Sequence, residues 1–419
     1  MMMSETSAAG QQGLGVRRRV RQATQACRTF AGFAIVPALA TVTPLIVIPV
    51  VSRTAGSEGI VAIAVGQSVG AVAGIAVALG WPLIGPAFVA RSNQADRRNS
   101  YRQSLGSRLV VLALLAPPAF VLSFVLVSSY RLAAGLAGLA FAGYGLTATW
   151  FYTGSGDSKG LVLFETIPRV IATAIAGTAI AFGAPLTVYP VLLIAAVIAT
   201  FYLNSIRVLG TVRLRIRRSS LRIRAELPAT VSRLLQGGYS MGSVLIVAAL
   251  SPTAALPFVA YSRVLQPALG ATAAYSQALM AWVAGDQKNL VHRQCAGLVT
   301  DFFFSISAGV AVYAALPLIL HFLFADLIVA TYALSLATAV AVVFGTFSRC
   351  TLQHGLLAAG DDRFATRLLG VQSVCSLGAM TALVVPFGAL GAMVVFAAGE
   401  FVFSMAALIR LVVVWRRDV

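Results

Sequence analysis

The sequence predicts an all-α, polytopic membrane protein whose helices, about twelve of them, fall into two six-helix sets. Composition is the first reason. Of 419 residues, 59% are apolar and only 11% are charged, and the mean hydropathy is +0.88. Soluble domains run at about 45–50% apolar and about 25% charged, so a water-facing protein is excluded. The second reason is the recurrence of apolar runs close to the ~20 residues that cross a hydrocarbon core of about 30 Å. The third is the placing of charge. The net charge of +18 is concentrated in short stretches between those runs, which is the pattern of cytoplasmic loops rather than of a nucleic-acid-binding surface.

Residues 1–28 are polar and carry Arg17, Arg18, Arg19, Arg21 and Arg28. They read as a cytoplasmic tail. A twin-arginine export signal is set aside, because the apolar run begins well downstream and is long enough to span. Apolar segments follow at 29–51, 59–85, 109–129, 132–152, 161–182 and 188–206. A second set lies at 228–250, 255–283, 300–323, 328–352, 367–387 and 389–413. Pro37, Pro44 and Pro49 predict a bent first helix, which a membrane tolerates where neighbours satisfy the freed carbonyls.

Between the two sets lies a long basic connection, with Arg207, Arg213, Arg215, Arg217, Arg218, Arg222 and Arg224. It divides the chain into an N-terminal bundle (29–206), a linker (207–227), a C-terminal bundle (228–413) and a short tail (414–419). An internal echo supports the division: Ile46 to Gln67 and Val244 to Gln266 both run helix, short polar turn, helix. With the N-terminus inside, the cytoplasmic connections also collect Arg91, Arg97, Arg98, Arg102 and Arg108, then Lys159, Lys288, Arg293, Arg363 and Arg367. The other side keeps Arg53 and Arg131. That asymmetry places both termini in the cytoplasm, and the short outer loops leave no room for a soluble-style active site.

Cys27, Cys295, Cys350 and Cys375 form no CxxC pair, and His292, His321 and His354 show no HExxH spacing. Neither a zinc site nor a disulfide framework is predicted, and the histidines read as interfacial or packing residues. No phosphate-cradling GxxxxGK[ST] loop is present, so no cofactor and no nucleotide hydrolysis are expected. Small residues at helical spacing, Gly66, Gly70 and Gly74 and then Gly138 and Ala142, read as close-packing faces.

Ionisable residues inside apolar spans carry the functional signal, because a charge there costs at least about 2.5–3.5 kcal/mol unless it faces protein or water. Arg169, Arg233 and Arg263 lie roughly 8–12 Å in from their nearer helix ends at about 1.5 Å per residue. Cations at several depths suit an anion in transit, and all three are candidate substrate-binding residues. For Arg169 a local pair with Glu165, one turn earlier, is an equal alternative. Glu400, near the middle of the last span, is a candidate coupling site or charge partner. Asp301, Arg349 and Arg410 read as snorkelling residues near helix ends, and Trp150, Phe151 and Tyr152 read as an interfacial belt.

Several short stretches carry a family resemblance: Val51-Ser52-Arg53-Thr54-Ala55-Gly56, Trp150-Phe151-Tyr152-Thr153-Gly154 and Ala260-Tyr261-Ser262-Arg263-Val264-Leu265-Gln266. Leu356-Leu357-Ala358-Ala359-Gly360-Asp361 and Phe387-Gly388-Ala389-Leu390-Gly391 with Glu400 add to it. Together they resemble the polysaccharide-biosynthesis transporters of the multidrug/oligosaccharidyl-lipid/polysaccharide (MOP) superfamily, close to Wzx-type flippases. Ala55 and Thr153 depart from the usual Leu and Gln. The resemblance implies a V-shaped pair of bundles that flips a polyprenyl-diphosphate-linked saccharide across the cytoplasmic membrane by alternating access. Its candidate partners are that substrate, the bilayer and polysaccharide assembly proteins. Guanidinium groups suit a diphosphate. A multidrug or metabolite exporter of the same superfamily would need acidic cavity residues, for which only Glu165 and Glu400 are placed. A membrane glycosyltransferase would need an acidic outer loop, and none is present.

Overall fold

The computed structural model describes residues 45–211, 223–284, 289–325 and 327–418. The N-terminal tail, the first two-thirds of the first apolar segment, the middle of the basic linker and Lys288 lie outside the described residues. The helices are α1 (Leu45–Thr54), α2 (Gly56–Ala78), α3 (Trp81–Arg91), α4 (Gln94–Val125), α5 (Arg131–Gly143), α6 (Thr149–Ser155) and α7 (Ser158–Leu161). They continue with α8 (Ile167–Ala181), α9 (Val188–Leu209), α10 (Ile223–Leu250), α11 (Pro252–Ala284), α12 (Leu290–Phe324), α13 (Tyr332–Cys350) and α14 (Asp362–Asp418). No strand occurs among the described residues. Eight continuous helical stretches among them are long and apolar enough to cross a membrane, and the chain is a multi-pass membrane protein.

The surface matches that solvent. Leu114, Phe182, Leu318 and Val329 are exposed, whereas the buried positions of α2 and α5 are dominated by Ala, Gly and Val. Where lipid is as apolar as the core, packing rather than hydrophobicity holds helices together, and small residues let backbones approach. The glycine stripe of α2 does this against α5. A Cβ on Gly66 would collide with the Ala134 carbonyl, one on Gly70 with the Gly138 carbonyl, and one on Gly74 would lie 2.7 Å from the Phe141 carbonyl oxygen. The close-packing face expected from Gly66, Gly70, Gly74, Gly138 and Ala142 is therefore present.

Helix boundaries depart from the apolar runs in instructive ways. The second run is broken at Leu79, whose φ of +53° ends α2, and Pro82 opens α3, where a missing N–H costs nothing. Helix α4, which carries the third apolar run, begins at Gln94, far ahead of its apolar part, because Asn93 caps it by accepting from the Asp96 amide at 2.9 Å. The last two runs form one long helical stretch bent at Gly388, where φ is +56°; only a residue without Cβ takes that conformation freely. Two π-helical turns, Val162–Thr166 between α7 and α8 and Thr351–Leu357 after α13, interrupt otherwise α-helical spans.

Helices α2 to α9 pack mainly on one another, as do α10 to α14, and α2 with α10 forms the principal contact between the two groups. Both arms of the internal echo adopt helix, turn, helix. They also meet: Arg263 on α11 donates to the Gln67 carbonyl on α2.

Candidate functional site

At the bend between α2 and α3 lies an open cavity of about 410 Å³ between the two groups of helices. The wall from α2 and α3 consists of Ala71, Gly74, Ile75, Ala78, Pro82 and Pro86. Helix α5 and the turn after it add Phe141, Tyr144 and Thr147, and α6 adds Thr149, Trp150 and Thr153. Arg233 reaches in from α10, which Gly80 lets approach closely, since a Cβ there would lie 2.7 Å from the Ala229 Cβ. The bend thus follows from Leu79, Gly80 and Pro82, and the small side chains leave the space.

Among the described residues, Arg233 is the only charged one in that lining, and no carboxylate joins it. Its Nη1 is buried without a hydrogen-bond partner. An unpaired buried charge is costly, more so than a paired one. The arrangement is complementary to an anion.

The other predicted residues have partners. Arg169 and Glu165 form the local ion pair, Nη2 to Oε2 at 3.0 Å. Glu165 is buried and its Oε1 accepts from the Ala148 amide at 2.6 Å and from Asn204 Nδ2 at 2.7 Å; Asn204 in turn accepts from the Tyr152 hydroxyl at 2.6 Å. The Arg169 guanidinium lies 4.3 Å from the centre of the Tyr144 ring, a cation–π contact behind the cavity wall. Glu165 therefore ties α6, α8 and α9 together. Removing one partner of a buried ion pair costs about 3–5 kcal/mol, so Glu165→Ala is expected to lower thermal stability in detergent sharply, and Glu165→Gln less so.

Arg263 caps the far end of the cavity stripe. Gln67 precedes Ala71 by one turn on the same face of α2, and its amide donates to the Tyr189 hydroxyl at 3.2 Å. Around Arg263, Gln67 and Tyr189 only about 20 Å³ remains open. Nearer the α1–α2 turn, on another face of α2, lies a second cavity of about 520 Å³ whose one charged lining residue is Glu58. Glu400 lies apart from both cavities. It accepts from the Ser348 hydroxyl on α13 and feels the charge of Arg349.

Several expectations are corrected. Arg108, read as a loop charge, is fully buried and donates to the carbonyls of Thr147 at 2.7 Å and Gly145 at 3.1 Å. Trp150 and Tyr152 do not form an interfacial belt; they are buried among Trp81 and Tyr101. Arg349 does not snorkel but donates to the Leu269 carbonyl at 2.8 Å, and Arg410 pairs with Asp361 at 2.7 Å. Asp301 is buried against His354, 53 residues away, with Nδ1 and Oδ2 2.7 Å apart. Tyr261 anchors the connection between α12 and α13 by accepting from the Thr331 amide at 3.1 Å.

Fold and cavity together define a multi-pass helical membrane protein with an open chamber between two groups of helices. Its fold is similar to that of solved transporters of the MOP superfamily. An inward-facing multidrug resistance MATE family transporter of that superfamily superposes with a TM-score of 0.64 over 90% of this chain and 96% of its own, at 14% identity. The lipid II flippase MurJ in an inward closed conformation superposes at 0.68 over 93% of each chain, at 11% identity. An outward-facing MATE transporter superposes at 0.53, with 14% identity, over 93% of this chain and 96% of its own. No family model matches the sequence, and no curated protein does.

Proposed function

We propose that the chain is a transporter that flips a polyprenyl-diphosphate-linked saccharide across the cytoplasmic membrane by alternating access. The observation that carries this reading is the cavity into which Arg233 brings a buried Nη1 without a hydrogen-bond partner, with no carboxylate in its lining among the described residues. Guanidinium pairs bidentately with phosphate oxygens. The sugars would cross through the chamber while the lipid tail stays in the bilayer. One of the structurally similar proteins is a lipid II flippase, and a lipid-linked substrate suits a cavity held between two helical groups. Arg263, at the closed end beside Gln67, would take over the anion as that end opens, and Arg169 would follow if Tyr144 moved aside. Twelve spans in two bundles, 29–206 and 228–413, joined by the basic linker at 207–227, complete the proposal, with polysaccharide assembly proteins as partners.

The competing reading is export of drugs or metabolites, since MATE transporters share the fold. A cationic drug would be repelled by Arg233, and among the described residues the only carboxylate lining either of the two cavities is Glu58. The deciding experiment is a binding titration of the full chain in nanodiscs. Polyprenyl diphosphate should bind, and its unphosphorylated polyprenol should not. Equal binding of the two, or tight binding of a cationic drug alone, would overturn the assignment.

Orientation has its own test. With native cysteines replaced, single cysteines in the stretch from Ser52 to Glu58 should react with impermeant reagent from outside. A cysteine at Ser219 should react only after permeabilisation. The reverse pattern would invert the topology.

A further inference from the structure

The C-terminal group of helices holds a buried polar cluster that the proposed transport site does not use. Asp301 on α12 and His354 in the π-helical turn after α13 are both fully buried. His354 Nδ1 lies 2.7 Å from Asp301 Oδ2, and Nε2 lies 2.7 Å from the backbone carbonyl oxygen of Ser276 on α11. The turn is built to present the ring. The carbonyls of His354 and Gly355 accept from Gln294 Nε2 at 3.1 and 3.0 Å, and Gln294 is itself held by the Trp415 indole at 2.7 Å. Such π-helical turns frequently mark functional positions.

Proton accounting decides what the cluster contains. A carbonyl oxygen only accepts, so Nε2 must carry a hydrogen. A carboxylate also only accepts, so a second proton must sit between Nδ1 and Oδ2. A neutral imidazole beside an ionised carboxylate supplies only one of these two protons. The pair therefore holds one more, whether written as imidazolium and carboxylate or as imidazole and carboxylic acid, and its net charge is zero. Cys350 adds its Sγ within 4.8 Å. The three side chains are of metal-binding type, but neither ring nitrogen has a lone pair to spare in this arrangement.

We propose that Asp301 and His354, with the Ser276 carbonyl, form a proton-binding site shared by α11, α12 and the π-helical turn after α13. Among the described residues, the other titratable groups that face the pair are Tyr275 on α11 and Cys350 on α13. Arg349, one residue before Cys350, is turned to the Leu269 carbonyl, and Arg410 on α14 is paired with Asp361. Neither cation neutralises Asp301. The site stands on local geometry and is independent of what is transported.

The test is spectroscopic and needs no substrate. In nanodiscs, the full chain with His292→Gln and His321→Gln leaves His354 as the sole ¹⁵N-labelled imidazole. About one unit above the ordinary histidine value of ~6.5, nitrogen NMR should report a doubly protonated ring, or infrared difference spectra should report a protonated Asp301 carboxyl. In Asp301→Asn the amide donates to Nδ1, so the ring should lose its second proton and become neutral. A neutral ring beside an ionised Asp301 in the otherwise native pair would overturn the proposal, whatever the variant does. So would a ring that stays doubly protonated in Asp301→Asn.

Discussion

Replacing Arg233 with Gln is expected to weaken binding of a diphosphate-bearing lipid by about one to two orders of magnitude. A hydrogen bond to a charged group is worth about 1.5–3 kcal/mol, and each ~1.4 kcal/mol is tenfold in affinity. Arg233→Lys should fall between, since it keeps the charge and loses the two-pronged geometry. The neutral variant should be no less stable than the native chain when no ligand is present, because the Nη1 it removes has no partner. That combination separates a ligand-binding arginine from a structural one. Arg108 offers the contrast: its guanidinium serves the Gly145 and Thr147 carbonyls, and its removal should cost stability first. If Arg233→Gln unfolds the protein, or binds the diphosphate as tightly as the native chain, Arg233 is not the anion site.

The second large effect lies in the glycine stripe. Gly70→Val should abolish most of the folded, monodisperse protein recovered after extraction. Its side chain would meet the Gly138 carbonyl and the Phe141 Cβ, and backbone cannot swing aside as a flexible side chain can. Overpacking typically costs about 1–3 kcal/mol, and this site lies at the upper end because the α2–α5 contact has no slack. Gly106 is the control. Nothing lies within 4 Å of a Cβ there, and alanine is a better helix former than glycine by about 1 kcal/mol. Gly106→Ala should match or exceed the native yield, and size-exclusion profiles of the two variants make the comparison.

What the sequence made legible depended on local order. The Gly66, Gly70 and Gly74 stripe was visible because one helical face has a fixed spacing, and the Glu165–Arg169 pair because four residues make one turn. Arg233 could be named because no local carboxylate answers it. The pairing of Asp301 with His354 could not, since it joins residues from two helices through a π-helical turn with no signature in residue type. Arg108 was misread for a related reason. Helix α4 begins at Gln94, and Arg108 is carried by it into the protein, where carbonyls at the end of α5 take its hydrogens. The aromatic run at Trp150 has the composition of an interfacial belt, and only the stacking with Trp81 and Tyr101 turns it inward.

Whether the chamber moves a lipid-linked anion is measured most directly by flipping in proteoliposomes. A fluorescent polyprenyl-diphosphate saccharide placed in one leaflet should reach the other at a rate that rises with the amount of protein and collapses in Arg233→Gln. Flipping no faster than in protein-free vesicles, together with accumulation of a cationic drug that Arg233→Gln leaves unchanged or improves, would rule out a lipid-linked anion as substrate and assign the chamber to export.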